Sequence, residues 1–372
     1  MSLLCDKYRP TTLAKCDFNQ QQCQRMRRLI STGNFPHLLI YGPSGSGKKT
    51  RAYALLREVF GVGVERLKLE HKQFETSYGR KFDQTVMSSN YHLEVNPSDA
   101  QFFDRLVVQQ LIKELATSAS LTDKHKFKVV VITEADRLTR EAQHALRRTL
   151  EKYVVTCRVI LIAESASPII PAVKSRCLLL RNGAPTSANI SSVLVSVAKK
   201  ECFSLSAQMA DKIANDCDHN LRRALLMLET YNVRQTGLNT AGTHTTGLID
   251  VPQPQWRQQL ASLAKKLTES PSMKKVLEIR SAFYELQTHL VPNDLIVRQL
   301  TKDLLKRCLD DPMKSRLMQM AADCEHWMRL GSKPIIHLEA FAIKFMNLWK
   351  SSVDGLQLDD IDGDTDMMSI VY

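Results

Sequence analysis

The sequence predicts an α/β domain built on a parallel sheet, followed by two all-helical segments and an acidic tail. Three observations carry that expectation. Short apolar runs of β-type residues alternate with helix-length amphipathic stretches through the first half. One such run ends in a glycine-rich turn that opens a helix, from Gly42 to Lys48. After Arg181 the β-type runs stop and helical periodicity takes over. The 372 residues leave room for roughly two or three domains.

In chain order, the apolar runs place strands at His37–Tyr41, Tyr91–Val95, Lys128–Thr133, Arg158–Ala163 and Leu178–Leu180. Helices fall between them at Lys49–Phe60, Phe102–Ser118, Arg140–Tyr153 and Ile169–Lys174. The polar, aromatic-sprinkled stretch His71–Asn90 reads as an excursion from the sheet. Asn182-Gly-Ala-Pro-Thr186 is a hinge, with Thr186 or Ser187 placed to cap the next helix. Three helices follow, at about 187–201, 206–217 and 219–234. Residues Thr236–Pro254, rich in Gly, Thr and Pro, read as a second linker. The segment 255–350 is wholly helical, broken at Pro271, Pro292–Asn293, Asp310–Pro312 and Gly331–Pro334. Its stripe Val276, Ile279, Phe283 and Leu286 is spaced for one buried face.

Composition excludes several classes. Apolar residues make up 44% and charged residues 24%, which argues against global disorder. No apolar run approaches the roughly 20 residues that span a bilayer, and the first residues lack a secretory signal pattern, so a soluble intracellular protein without membrane partners is expected. The nine cysteines include no C-x-x-C pair, so reduced thiols are expected and no metal site is assigned. Residues 351–372 carry six Asp and no Lys, Arg or Glu, so the other 350 hold +18 against the chain's +12. A body that basic fits either a polyanionic partner or a solvated cationic surface. Asp360, Asp362 and Asp364 mimic the start of a calcium loop, but Thr365 stands where Gly is needed and Val371 where Glu is needed. The tail is expected to be solvated and disordered.

The strongest chemical signal is His37-Leu-Leu-Ile-Tyr41 running into Gly42-Pro43-Ser44-Gly45-Ser46-Gly47-Lys48-Lys49-Thr50. A strand, a glycine-rich loop and a helix form the context of a Walker A motif. There, successive backbone N–H groups and the helix N-terminus cradle phosphate oxygens, and Lys48 reaches the β- and γ-phosphates. The residue after that lysine ordinarily supplies a hydroxyl to Mg²⁺; here it is Lys49, with Thr50 displaced by one. Thr133 likewise stands where the strand Val129-Val-Val-Ile132 should end in a metal-binding Asp. Glu134 keeps the place of the water-activating base. Glu164 follows the next core strand, where a neutral polar sensor is usual. Together these departures remove both protein ligands for Mg²⁺ and leave a pocket that binds ATP or ADP but hydrolyses it poorly. Magnesium itself is left open, and Lys49 is a stand-in for part of its charge.

Further along the chain stand Asp6-Lys-Tyr-Arg-Pro10, Phe35-Pro-His-Leu-Leu39, Tyr91-His-Leu-Glu-Val-Asn-Pro-Ser-Asp99, Ala142-Gln-His-Ala-Leu-Arg-Arg-Thr149, Ser175-Arg-Cys177 and Leu221-Arg-Arg-Ala-Leu225. With the glycine-rich loop, and more weakly with Gly331-Ser-Lys-Pro-Ile-Ile-His-Leu-Glu-Ala340, they resemble the small subunits of replication factor C, clamp loaders of the AAA+ class. The Lys49 and Thr133 variants are themselves similar to the subunit 3 pattern. The resemblance runs to about residue 350 and excludes the tail. It implies a P-loop (AAA+) nucleotide-binding domain at 1–181, an all-α lid at 182–240 and an all-α collar at 241–350, with 351–372 as the tail.

The same resemblance implies roles. Tyr8 and Arg9 line the adenine side, and Arg222 is a second sensor directed at the phosphates. Arg176 is an arginine finger reaching the neighbouring subunit's nucleotide, while Glu134 is a vestigial base. Arg105, Lys113, Arg147 and Arg148 face duplex phosphates without reading bases. Pro168 and Gln109–Gln110 depart from the family's basic pattern. The implied partners are four other replication factor C subunits, one of them large, in a hetero-pentamer, together with the sliding clamp PCNA and primer–template DNA in the nucleus. Two other readings remain at this point: an independent AAA+ ATPase that remodels protein or nucleic acid, and an architectural scaffold whose pocket stays empty.

Overall fold

The computed structural model describes residues 3–31, 36–75, 81–117, 127–240, 253–269, 272–308 and 310–353. The chain divides into two compact units, Met1–Pro252 and Gln253–Tyr372.

The first unit begins with α1 (Leu4–Lys7) and α2 (Gln20–Ser31), then β1 (Leu38–Tyr41) and α3 (Lys48–Phe60). Three strands follow: β2 (Lys68–Glu75), β3 (Lys81–Ser88) and β4 (His92–Val95). Then come α4 (Asp104–Thr117), β5 (Lys128–Ile132), α5 (Arg140–Lys152), β6 (Cys157–Ala163), α6 (Pro171–Lys174) and β7 (Leu178–Arg181). The seven strands form one sheet in the order β2-β3-β4-β5-β6-β1-β7. Strands β4, β5, β6, β1 and β7 are parallel, as the alternation predicts.

The edge differs from expectation. The stretch read as an excursion supplies β2 and β3, an antiparallel pair that extends the sheet beyond β4. Nine of its sixteen side chains are exposed, among them Lys68, Glu70, Glu75, Lys81 and Asp83, so no buried run announced it. Phe74 is its anchor: it is buried and stacks on Phe82, which stacks in turn on Phe103 ahead of α4. Such a ladder holds an otherwise polar hairpin on the core.

Both faces of the central strands are covered, which explains their continuous apolar runs. Leu38, Ile40, Val129, Val131, Ile160 and Ile162 pack in one core with Ala52, Leu55 and Leu56 of α3. Leu39, Val130, Ile132, Val159 and Leu161 alternate to the other face, against Val107, Leu111 and Leu146 of α4 and α5. Buried His37 precedes β1: its Nδ1 accepts from the Val159 amide (3.0 Å) and its Nε2 faces the Leu150 carbonyl (3.3 Å). Only a neutral ring protonated on Nε2 satisfies both, and burial lowers its pKa.

Helices α7 (Ser187–Lys200), α8 (Ala207–Asp216) and α9 (Leu221–Thr240) complete the unit. Thr186 is the cap of α7, accepting from the Asn189 amide at 3.3 Å. Ile190, Leu194, Ile213, Ala224 and Leu228 form their core, and Leu4 of α1 packs into it. The second linker starts later than its composition suggests, because α9 carries on through Thr240. Residues 241–252 lie outside the described ones.

The second unit is a bundle of α10 (Gln255–Leu267), α11 (Met273–Thr288), α12 (Asn293–Leu305), α13 (Asp311–Leu330) and α14 (Pro334–Val353). The breaks at 292–293, 310–312 and 331–334 coincide with helix starts; Pro271 lies outside the described residues. Ile279, Phe283 and Leu286 are buried with Leu300, Leu317, Phe341 and Phe345, and Val276 packs at their margin. No helix among the described residues is long and apolar enough to cross a membrane. The expected acidic tail, from residue 354 on, lies outside the described residues.

Candidate nucleotide site

β1 delivers the chain to the glycine loop at the carboxyl edge of the parallel strands, where open α/β sheets bind ligands. The loop cannot carry side chains at two of its turns. A Cβ on Gly42 would lie 1.9 Å from the Asn182 carbonyl oxygen, and one on Gly45 would lie 1.8 Å from Oδ1 of Asn220. Gly45 and Gly47 also take φ of +71° and +79°, where only glycine is unstrained. The backbone is thereby shaped as a concave phosphate cradle on the N-terminus of α3.

Arg51 holds that cradle from beneath. Its side chain is buried, donating to the Ser46 carbonyl (2.9 Å), the Phe18 carbonyl (2.8 Å) and Oδ1 of Asn182. Asn182 Nδ2 donates to the same Ser46 carbonyl at 2.7 Å, and the guanidinium stacks 4.5 Å from the Phe18 ring. Sequence reasoning missed both residues. On α3, Arg51 reads as a surface cation, and its partner Asn182 stands 131 positions away.

The predicted site residues gather around two adjoining hollows. One is lined by Tyr8, Arg9 and Phe18, with Val193, Leu225 and Arg222 from the helices beyond the hinge. Tyr8 donates its hydroxyl to Glu201 (2.7 Å), and Arg9 pairs with Asp6 (2.8 Å). The second hollow contains Ser44, Lys48, Lys49, Thr133, Glu134 and Glu164. Arg9, Gly45, Gly47, Thr50 and Arg222 border both. Ser46 is wholly buried, its hydroxyl donating to the Pro43 carbonyl at 2.7 Å.

Charge in the second hollow is tightly arranged. Lys48 Nζ donates to the carbonyls of Gly42 (2.6 Å) and Pro43 (2.9 Å). Burial lowers its pKa, opposed by the carboxylates of Glu164 and Asp136. Lys49 instead turns to β4 and pairs with buried Glu94, which also accepts from the Tyr53 hydroxyl. The Thr133 hydroxyl donates to the Val95 carbonyl at 3.2 Å. Glu134, at φ +51°, pairs with Arg137 (3.1 Å) and accepts from Ser98 (3.3 Å). The Glu164 amide donates to Asp136 at 3.3 Å. Glu94 gave no sign in the sequence, since a single Glu inside an apolar run says nothing of its partner.

Elsewhere, Arg105, Arg147 and Arg148 share a groove between α4 and α5 with Gln109 and His144. Lys113 lies on α4 beyond that groove, exposed. Arg105 stands 3.6 Å from Glu141, and Arg147 stands 3.9 Å from Glu151. Arg176, between α6 and β7, pairs with Glu151 as well.

A mostly parallel sheet, a phosphate loop on its carboxyl edge and an attached helical bundle define the AAA+ class of nucleotide-binding folds. Family models match in three places. Residues 256–353 match the replication factor C subunit 3 C-terminal domain, 192–233 the AAA+ lid of its subunit 1/5-like group, and 18–183 the DNA polymerase III delta subunit. Replication factor C subunit 3 of Homo sapiens is 46% identical over 96% of this chain and 99% of its own length. Subunit 5 of Neurospora crassa is 43% identical over 96% of this chain and all of its own, and subunit 5 of Oryza sativa 43% over 94% and 98%. A RuvB structure from Thermotoga maritima shares the fold, with a TM-score of 0.50 over 80% of this chain and 90% of that one at 13% identity. The chain belongs to the replication factor C subunit 3/5 family, in the clamp-loader branch of the AAA+ class.

Proposed function

We propose that this chain is a fixed nucleotide-holding member of a clamp loader rather than a motor in its own right. The nucleotide domain 1–181, the lid 182–240 and the collar 241–350 join four related subunits, one of them large, in a hetero-pentamer. That assembly loads the sliding clamp PCNA onto primer–template DNA in the nucleus. ATP binding tightens the assembly on clamp and DNA, and hydrolysis at neighbouring sites releases both.

One observation carries the reading of its own pocket. The cradle is complete, yet the two positions that ordinarily hold a divalent ion are committed elsewhere: Lys49 to Glu94 and the Thr133 hydroxyl to the Val95 carbonyl. The loop amides, Lys48 and Arg222 then bind the phosphates of ATP or ADP, with Tyr8 and Arg9 at the base. Thr50 and Lys49 flank the cradle, and Glu134 is left as a base without a metal-organised water. Phosphoryl transfer needs charge stabilisation that this arrangement lacks. Arg176 supplies a planar cationic fork to the next subunit's ATP.

Arg105, Arg147 and Arg148 track duplex phosphates, with Lys113 further along α4. Their ion pairs to Glu141 and Glu151 are exposed and worth roughly 0–1 kcal/mol, small beside phosphate contacts.

The test is nucleotide retention by the purified chain, and by the reconstituted pentamer, with and without EDTA. Retention that survives chelation, with no turnover by the solitary chain, is the expected result. Brisk Mg²⁺-dependent cleavage by this chain alone, lost in Glu134→Gln, would overturn it. An empty pocket under all conditions would favour the architectural reading.

A further inference from the structure

Glu151, near the end of α5, lines two neighbouring surface hollows. It closes the groove that holds Arg105, Arg147 and Arg148, and it lines the neighbouring hollow with His37, Val154, Arg158 and Arg176. Its carboxylate takes two arginines at once. Arg176 donates from Nε to Oε1 at 2.5 Å, and its Nη2 pairs with the same oxygen. Arg147, one helical turn back, has its Nε 3.9 Å from that same Oε1.

The geometry of Arg176 is that of a held side chain. Its Nη1 donates to the Ala172 carbonyl at 2.7 Å and to Ser175 Oγ at 3.2 Å. With Nε and Nη2 on Glu151 and Nη1 on Ala172 and Ser175, the guanidinium is held on both sides, and one Nη2 N–H at its tip is left for a second anion. Only 28% of the side chain is exposed, whereas the other arginines of the groove's ion pairs, Arg105 and Arg147, are 57% and 49% exposed. A long cation on a surface loses rotamer freedom only when something orders it, and here a carboxylate 25 positions away does so.

We propose that Glu151 is the positioning residue for Arg176, and that its shared carboxylate connects the α4–α5 groove to the arginine. This rests on the reading that Arg176 acts on a neighbouring subunit's ATP. A backbone phosphate in the groove draws Arg147 off Glu151. The carboxylate is then left to Arg176 alone, and the side-on grip tightens. A polyanion on one face thereby orders the cation presented on the other.

The experiment is steady-state ATP turnover by the reconstituted complex containing this chain, with and without primed duplex DNA. Glu151→Ala lowers the DNA-stimulated kcat by about tenfold with KM for ATP unchanged, because orientation is lost and binding is not. Glu151→Gln, which keeps an acceptor, recovers most of that loss. Arg176→Ala is at least as impaired, and the double variant is no worse than Arg176→Ala. Losses that multiply in the double variant, or a Glu151→Ala complex with normal DNA stimulation beside an impaired Arg176→Ala, would overturn the positioning role alone. An unimpaired Arg176→Ala complex would overturn the action in trans, and the role of Glu151 with it.

Discussion

Lys49 and Glu94 form an ion pair beside the phosphate loop, joining the first turn of α3 to the buried strand β4. The pair decides what the departure at position 49 means. An ammonium facing the phosphates would act as a fixed counter-charge, but this one is neutralised by a carboxylate only 4% exposed. Tyr53 completes the cluster: its hydroxyl donates to Glu94, and its ring lies 5.8 Å from Lys49 Nζ. Burial and the adjacent carboxylate both push the tyrosine pKa up, so the hydroxyl stays a donor.

Restoring a hydroxyl at position 49 therefore does not by itself rebuild a metal site. Lys49→Thr leaves Glu94 buried with one donor and is expected to destabilise the chain by about 1–3 kcal/mol. Lys49→Thr combined with Glu94→Gln recovers most of that loss. Urea denaturation of the natural chain, both single variants and the double variant checks the coupling, and additive losses would refute it.

The Arg51 network makes the opposite kind of prediction, one about the shape of the loop. Arg51→Met removes the donors to the Phe18 carbonyl and Asn182 and one of the two donors to the Ser46 carbonyl. A loss of about 3 kcal/mol is expected, with nucleotide binding impaired at temperatures where the fold persists. Arg51→Lys fails too, since one ammonium cannot span three acceptors as a planar fork does. Isothermal titration with ADP, run beside thermal unfolding, separates the two effects.

His92, at the start of β4, sets a pH dependence. Burial lowers its pKa from 6.5 to about 4, partly offset by Glu94. Its Nδ1 meets Ser89 Oγ at 2.9 Å, its Nε2 has no partner among the described residues, and Tyr53 stands edge-on to the ring. The unfolded chain takes up the proton first, so stability is full above pH 6.5 and is lost as pH falls toward 4. From pH 7 to pH 5 this histidine removes about 2 kcal/mol, and buried His37 adds in the same direction. Guanidine titrations at the two pH values should show a smaller drop in His92→Leu than in the natural chain.

Much of this was readable along the chain. The five parallel strands lie within a residue or so of the apolar runs, because a strand buried on both faces has no choice but to be continuously apolar. The glycine loop, the Thr186 cap and the proline-marked helix starts were equally plain, each resting on chemistry within a few residues. The β2–β3 hairpin was not: its strands are solvated on most positions, and a phenylalanine ladder with buried Val86 holds them to the core. Lys49, Arg51 and Arg176 were visible as cations, but not what each one grips.

Local patterning was enough to define the phosphate cradle, the order of strands and helices, and the family. It could not say where the charges around the cradle are spent. Glu94 reaches Lys49, Asn182 reaches Arg51 and Glu151 reaches Arg176 only because the crossovers of the sheet bring distant segments side by side. Two of those partners stand 131 and 25 positions apart. An ion pair or a buried hydrogen bond acts over a few ångströms, whatever the separation along the backbone. Only folding sets that distance.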